Sequence, residues 1–198
     1  MEVEKGERIS RQEQAQQTKR RLFDAAYSLL QEKEFKDITI GEIVMRAGVS
    51  TGTFYLYYTS KLDVYYQTYV LADAYFLDKV WPRVQTGNTL ARLLIYFDDY
   101  AHYNSDYSSI KLTKLLYNGE NDCFLRQDEG MHSVLLGIVR YGLCAGELDD
   151  AMTDNEHCAF LMHMARGLVY DWCIHDGAYD LKDAMQAAME RLYKAIRK

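Results

Sequence analysis

The chain has 198 residues, 48% hydrophobic and 26% charged, with a single proline at Pro82, so it can bury a sizeable core as one domain or as a small domain docked on a larger one. Its net charge of −6 excludes a uniformly basic surface. No apolar run is long enough to span a bilayer, and the charged start MEVEKGERIS excludes a secretory signal, so a cytoplasmic protein with no membrane partner is expected.

Residues 1–14 are polar and expected to be frayed, with basic side chains able to trail along a polyanion. A first helix is predicted over about 16–32, with Leu22, Phe23, Ala26, Leu29 and Leu30 as its core stripe and Phe35 plugging the core from the following loop. Thr39 and Glu42 then form a T-x-x-E capping box, and Ile40, Ile43, Val44 and Ala47 recur at helical spacing. Gly48 sits where a left-handed cap ends that helix. Val49 precedes a second N-cap, Ser50, and pairs with Phe54 as a hydrophobic staple opening a helix over 51–58. Helix, glycine turn and helix at this spacing make a helix-turn-helix.

That second helix is polar and aromatic where a core helix would be apolar. Thr51, Gly52, Thr53, Tyr55 and Tyr57 can face outward, with Phe54 and Tyr58 inward. Small residues let a helix approach base edges, and Thr and Tyr hydroxyls reach bases or phosphates. Residues 1–61 carry ten basic and nine acidic side chains against thirteen and twenty in 62–198, so the acidic excess belongs to the second part. Arg8, Arg11, Lys19, Arg20 and Arg21 cluster against Glu13 alone, a local basic patch for phosphates.

Residues 49–61, VSTGTFYLYYTSK, resemble the recognition-helix signature of the tetracycline-repressor (TetR) family, V-S-x-G-x-hydrophobic-Y-x-Y/H-F-x-S/N-K. The departure is Tyr58 in place of Phe, which adds a hydroxyl to an otherwise buried ring. The resemblance is specific over about 18–65 and architectural beyond. It implies an all-α protein of about nine helices: a three-helix DNA-binding domain over 1–61, then a helical ligand-binding and dimerisation domain over 62–198. On that resemblance Thr51, Gly52, Thr53 and Tyr57 contact bases, and Thr39, Ser50, Tyr55, Tyr57 and Lys61 position the backbone, assisted by Lys19 or Arg20.

A long helix is predicted from 60 to about 81, ended by Trp81-Pro82 and Gly87-Asn88, followed by helices over 90–103, 108–117, 123–144, 153–175 and 181–197. Gly119-Glu120-Asn121-Asp122 reads as a breaker, and Gly137 and Gly142 as points of close helix approach. Thr153 and Glu156 form another capping box. The four cysteines, Cys123, Cys144, Cys158 and Cys173, are widely spaced and read as reduced. No strand pattern is apparent.

The last two helices carry apolar stripes with small members: Phe160, Met164, Gly167, Leu168 and Asp171, then Ala184, Met185, Ala188, Met189 and Leu192. The resemblance implies that they pair with a second subunit's in a four-helix bundle, and two-fold symmetry then demands a near-palindromic operator with half-sites about one DNA turn apart. Tyr69, Phe76, Phe97, Tyr100, Tyr103 and Tyr107, with Asp73, His132, Arg140, Met162 and Arg166, are candidates to line a cavity for an aromatic effector. Asp73 and Arg166 stand out, because a charge at an inward position asks for a partner.

Two alternatives remain at this level. A closed core makes a ligand-independent DNA-binding regulator. The pairs Asp99–His102, Glu129–His132 and Asp154–His157 have the spacing of helical di-iron enzymes, although only one has the right acid. The expectation is a repressor released by a small molecule, not an enzyme, with no cofactor and no metal.

Overall fold

A computed structural model describes residues 10–118, 121, 124 and 130–198. These residues form ten α-helices joined by 3-10 and π turns, without a strand; the one bridge pairs Leu148 with Arg197. The chain divides into two compact units between Gln67 and Thr68.

In the first unit α1, Arg11–Glu32, starts earlier than expected. The cause is a capping box: the Ser10 side chain accepts from the Glu13 amide, and the Glu13 carboxylate accepts from the Ser10 amide at 2.7 Å. Residues 11–14 are therefore helical, which corrects the expectation of a frayed arm there. Leu22, Phe23, Ala25, Ala26, Leu29 and Leu30 are the buried face. α2, Ile40–Ala47, opens on the Thr39–Glu42 box and closes on Gly48 at φ 65°. The Glu42 carboxyl is pulled down to about 2, first by the hydrogen bond from Lys33 and then by the Thr39 amide and hydroxyl. α3 is only Thr51–Tyr55, shorter than expected, since Leu56 already leaves the helix.

The helix expected over 60–81 is not continuous. α4, Lys61–Tyr65, is capped by Ser60, and α5 runs Gln67–Tyr75. A π turn over Phe76–Val80 and a 3-10 turn over Trp81–Gln85 follow. Pro82 lies at the start of the 3-10 turn, where a missing N–H costs nothing, so it opens an element instead of breaking one.

The second unit continues with α6 (Thr89–His102), a π turn (Tyr103–Tyr107), α7 (Ile110–Leu116), α8 (Gly130–Cys144), α9 (Asp154–Ile174) and α10 (Leu181–Ile196). The expected breaker at Gly119, Glu120 and Asp122, the start of the seventh helix, Arg8, Cys123 and Glu129 fall outside the described residues. Close approach at the two glycines has a partner in each case. A Cβ on Gly137 would lie 2.9 Å from the Trp81 ring, and one on Gly142 would lie 2.7 Å from the Thr89 hydroxyl.

The core of this unit holds Phe76, Phe97, Leu135, Ile138, Leu161, Val169, Trp172, Met185 and Met189. Phe76 and Phe97 thus pack in the core and not on a ligand. Met185 and Met189 are 0% and 2% exposed, so the stripe assigned to a second subunit is here partly the chain's own core. Burying each such side chain contributes roughly 1.5–3 kcal/mol, which fixes how α10 sits on α6.

Candidate nucleic-acid interface and ligand cavity

The helix-turn-helix has the caps and the glycine turn that its sequence predicts. Ser50 caps α3 by accepting from the Thr53 amide at 3.0 Å, and the two hydroxyls lie 2.8 Å apart. Phe54 and Tyr58 turn inward, at 0% and 5% exposed. The extra hydroxyl of Tyr58 reaches the Lys19 carbonyl at 3.4 Å, and burial pushes it up to about 12. Thr51, Gly52 and Tyr55 are exposed, while Thr53 and Tyr57 are half-buried. Met45 and Leu56, at 76% and 77%, share this exposure and were not singled out. Leu56 was legible, since it stands two residues from the buried Phe54.

The basic residues divide. The Lys19 ammonium lies 6.0 Å from the Tyr57 ring centroid, beside α3. Arg20 is exposed and loosely paired with Asp24 at 4.0 Å. Thr39 is exposed, with its hydroxyl 2.8 Å from the Glu42 carboxylate. Lys61 is elsewhere: its ammonium donates to the carbonyls of Phe35 (2.7 Å), Ile38 (2.8 Å) and Lys36 (3.3 Å) and sits 4.3 Å from the Phe35 ring centroid. All three donors of this ammonium are occupied within the unit, so Lys61 is not the free phosphate ligand that the sequence reading expects.

The second unit holds a cavity that leaves about 100 Å³ for the centres of water-sized molecules, room for several waters. Of the expected lining residues it brings together Tyr69, Asp73, Tyr100, Tyr103, His132, Met162 and Arg166. Four others are placed differently. Phe76 and Phe97 are core, as above. Tyr107 is 59% exposed, stacked on Tyr103 with centroids 5.0 Å apart. Arg140 donates to Asp154 at 2.8 Å and is largely solvated. Tyr96, Tyr117 and Phe124 complete the aromatic lining and were missed. Tyr96 could have been found, since Tyr96, Tyr100 and Tyr103 recur at i, i+4, i+7.

Most phenols here are tied down. Tyr96 donates to the Met131 carbonyl at 3.1 Å, Tyr103 to the Thr68 carbonyl at 3.0 Å, and Asn121 donates to the Tyr69 oxygen at 2.6 Å. The hydroxyls of Tyr100 and Tyr117 lie 2.6 Å apart, and burial raises both, so both are protonated at neutral pH. Asp73 accepts from the Met131 amide at 2.7 Å, near the start of α8. The Arg166 guanidinium lies 4.7 Å from the Phe124 centroid, and its buried Nε finds no hydrogen-bond partner.

Of the acid–histidine pairs, Glu129–His132 lies partly outside the described residues, and among the described residues no three such side chains gather to hold a metal. Asp99 is buried and accepts from Tyr75 at 2.7 Å and Arg83 at 2.6 Å, whereas His102 turns to Asp106 at 2.8 Å. Asp154 is held by Arg140, and His157 contacts the Asp149 carbonyl through Nε2 at 3.0 Å.

Residues 22–66 match the profile of the family described as bacterial regulatory proteins, tetR family. The fatty acid metabolism regulator protein of Bacillus subtilis (strain 168) is 22% identical over 182 residues, covering 88% of this chain and 93% of that protein. The fold is similar to that of the transcriptional regulator FadR from Bacillus subtilis in complex with stearoyl-CoA, with a TM-score of 0.67, 21% identity, and 88% and 96% of the two chains covered. It is also similar to NalD of Pseudomonas aeruginosa, a secondary repressor of a multidrug efflux pump, with a TM-score of 0.64, 15% identity and coverage of 92% and 98%.

Proposed function

Since the chain belongs to the tetR family of bacterial regulatory proteins through residues 22–66, we propose that it is a repressor that a small molecule releases from a near-palindromic operator. Transcription regulation through a helix-turn-helix is the family's activity, and the relatives are regulators and not enzymes. The observation that carries the finer reading is the pairing, in one chain, of an outward-facing α3 with a partly polar cavity in the second unit.

In this reading Thr51, Gly52, Thr53 and Tyr57 meet base edges, with a thymine methyl a suitable contact for the exposed Leu56. Ser50, Tyr55, Thr39, Lys19 and Arg20 meet phosphates and fix the register. Lys61 instead holds the Phe35–Ile38 turn against α4. Two copies pair through the faces of α9 and α10 that the chain leaves exposed or half-buried: Phe160, Met164, Gly167, Leu168 and Asp171 on one, Ala188 and Leu192 on the other. A pair of copies carries two α3 helices, which must lie about 34 Å apart or a multiple of it to enter successive major grooves. The ligand acts by preferring one head separation, and roughly 5.5 kcal/mol of differential affinity moves the population almost fully.

An aromatic effector fits the tyrosine-lined cavity. A second ligand class, acyl-CoA, is favoured by the Bacillus subtilis regulator solved with stearoyl-CoA. Gel-shift release separates these: with DNA fragments captured from the genome of origin, aromatic acids and long-chain acyl-CoAs are titrated in parallel. Release by either class supports the ligand-controlled reading, and DNA binding that no compound changes favours a ligand-independent regulator.

A further inference from the structure

Among the described residues lining the cavity, Arg166 has a buried polar atom left without a partner. Arg166, on α9, brings five N–H donors and a permanent charge to a wall built mainly of aromatic rings. Its Nε is buried without a partner among the described residues, while its guanidinium also reaches the Tyr100 hydroxyl. The Phe124 ring, 4.7 Å away, supplies a face to stack on but no acceptor. A buried guanidinium N–H left without an acceptor is costly, and an anion in the cavity would supply one.

The neighbouring hydroxyls point the same way. Tyr100 and Tyr117 share one hydrogen bond at 2.6 Å, in which either can donate. Whichever accepts keeps its own proton for a third group. Tyr96 and Tyr103 give their protons to backbone carbonyls, and Tyr69 is engaged by Asn121, so those walls offer mainly ring faces. Arg166 and the Tyr100–Tyr117 pair therefore share one stretch of the cavity wall with donor capacity to spare.

Resting on the reading of this cavity as the effector site, we infer that its ligand is a small organic anion, with its carboxylate or phosphate seated on Arg166 and a Tyr100 or Tyr117 hydroxyl and its apolar body against the tyrosine rings. A guanidinium fork matches either acidic group in two-point geometry, which an amide of the same body does not reproduce.

The test uses the purified full chain and matched probes: benzoate with benzamide, 4-hydroxyphenylacetate with its amide, octanoate with octanamide, and phenyl phosphate. Binding is read by calorimetry and by the shift in melting temperature. At least one acid is expected to bind about tenfold or more tightly than its amide. Arg166→Gln levels the pair, and Tyr117→Phe weakens the acid while leaving the amide alone. Arg166→Lys keeps the charge without the fork, so it retains part of the preference; should Arg166→Gln fail to fold, this variant decides. Phenyl phosphate against benzoate tells which acidic group the fork prefers. Amides that bind as tightly as their acids, or an acid preference that survives Arg166→Gln, overturn the anion and leave the cavity as a ligand site. No shift with any probe overturns both.

Discussion

The Lys61 ammonium donates to the Phe35 carbonyl at 2.7 Å and to the Ile38 carbonyl at 2.8 Å, tying the first turn of α4 to the turn that precedes α2. A lysine in the position where a phosphate contact was expected is therefore a strut within the first unit. Lys61→Met removes the donor and leaves part-buried carbonyls unmet, a loss of about 1–3 kcal/mol. The melting transition of the first unit should fall by several degrees, while the salt dependence of DNA binding keeps its slope. A slope lower by about one with unchanged melting would make Lys61 a phosphate ligand instead.

Lys19 and Thr51 should fail in different ways. Lys19→Ala is expected to weaken binding to all DNA alike and to lower the salt slope by about one. Thr51→Ala should cost roughly 1–3 kcal/mol at one base step and relax discrimination there. Titrations of operator and random DNA across a salt series measure both, and equal losses on the two DNAs for Thr51→Ala would remove it from the base contacts.

Two glycines in the second unit separate packing from assembly. Gly137→Ala would put a Cβ 2.9 Å from the Trp81 ring and is expected to destabilise the chain by about 1–3 kcal/mol. A Cβ on Gly167 meets nothing within 4 Å, so Gly167→Ala should stabilise the isolated chain by roughly 0.5–1 kcal/mol through backbone entropy. If the exposed face of α9 packs closely on a second copy, the same substitution weakens the dimer. Sedimentation at graded concentrations reads this, and an unchanged dimer constant would place Gly167 outside the interface.

Acid should act on the first unit partly through Glu42. Its carboxyl sits at about 2 in the folded chain against an ordinary 4.5, because Lys33 and the Thr39 amide hold the charged form. A folded value below the unfolded one contributes stability that is full above 4.5 and is lost as pH falls from there towards 2. Glu42→Gln should therefore flatten the stability profile in that window. A profile as steep as the parent's would show that the capping carboxylate does not carry the acid sensitivity.

The DNA-binding half was legible because its signals are local. Thr39–Glu42, Gly48 and Ser50 each satisfy or terminate a backbone within four residues, and all three act as their positions require. Ser10–Glu13 is the same kind of signal, and it opens α1 ahead of the start that the apolar stripe alone suggests. The second half depends on relations that no short window contains. The π turns at Phe76–Val80 and Tyr103–Tyr107 carry no composition of their own, so neither the end of the long helix nor the outward place of Tyr107 was readable. Met185 and Met189 show a further limit: helical spacing marks an apolar face without saying whether the same chain or another covers it. Arg166 was legible as an oddity, a charge at an inward position, but its orphaned Nε needed three dimensions.

Selection of bound sequences from random DNA, at low salt and with the full chain, bears most directly on the account. It predicts an enriched inverted repeat whose half-sites lie about one or two helical turns apart, lost when Thr51 and Tyr55 are both replaced by alanine. Recovery of no motif, or of one indifferent to that double substitution, would contradict the claim that α3 reads DNA in duplicate.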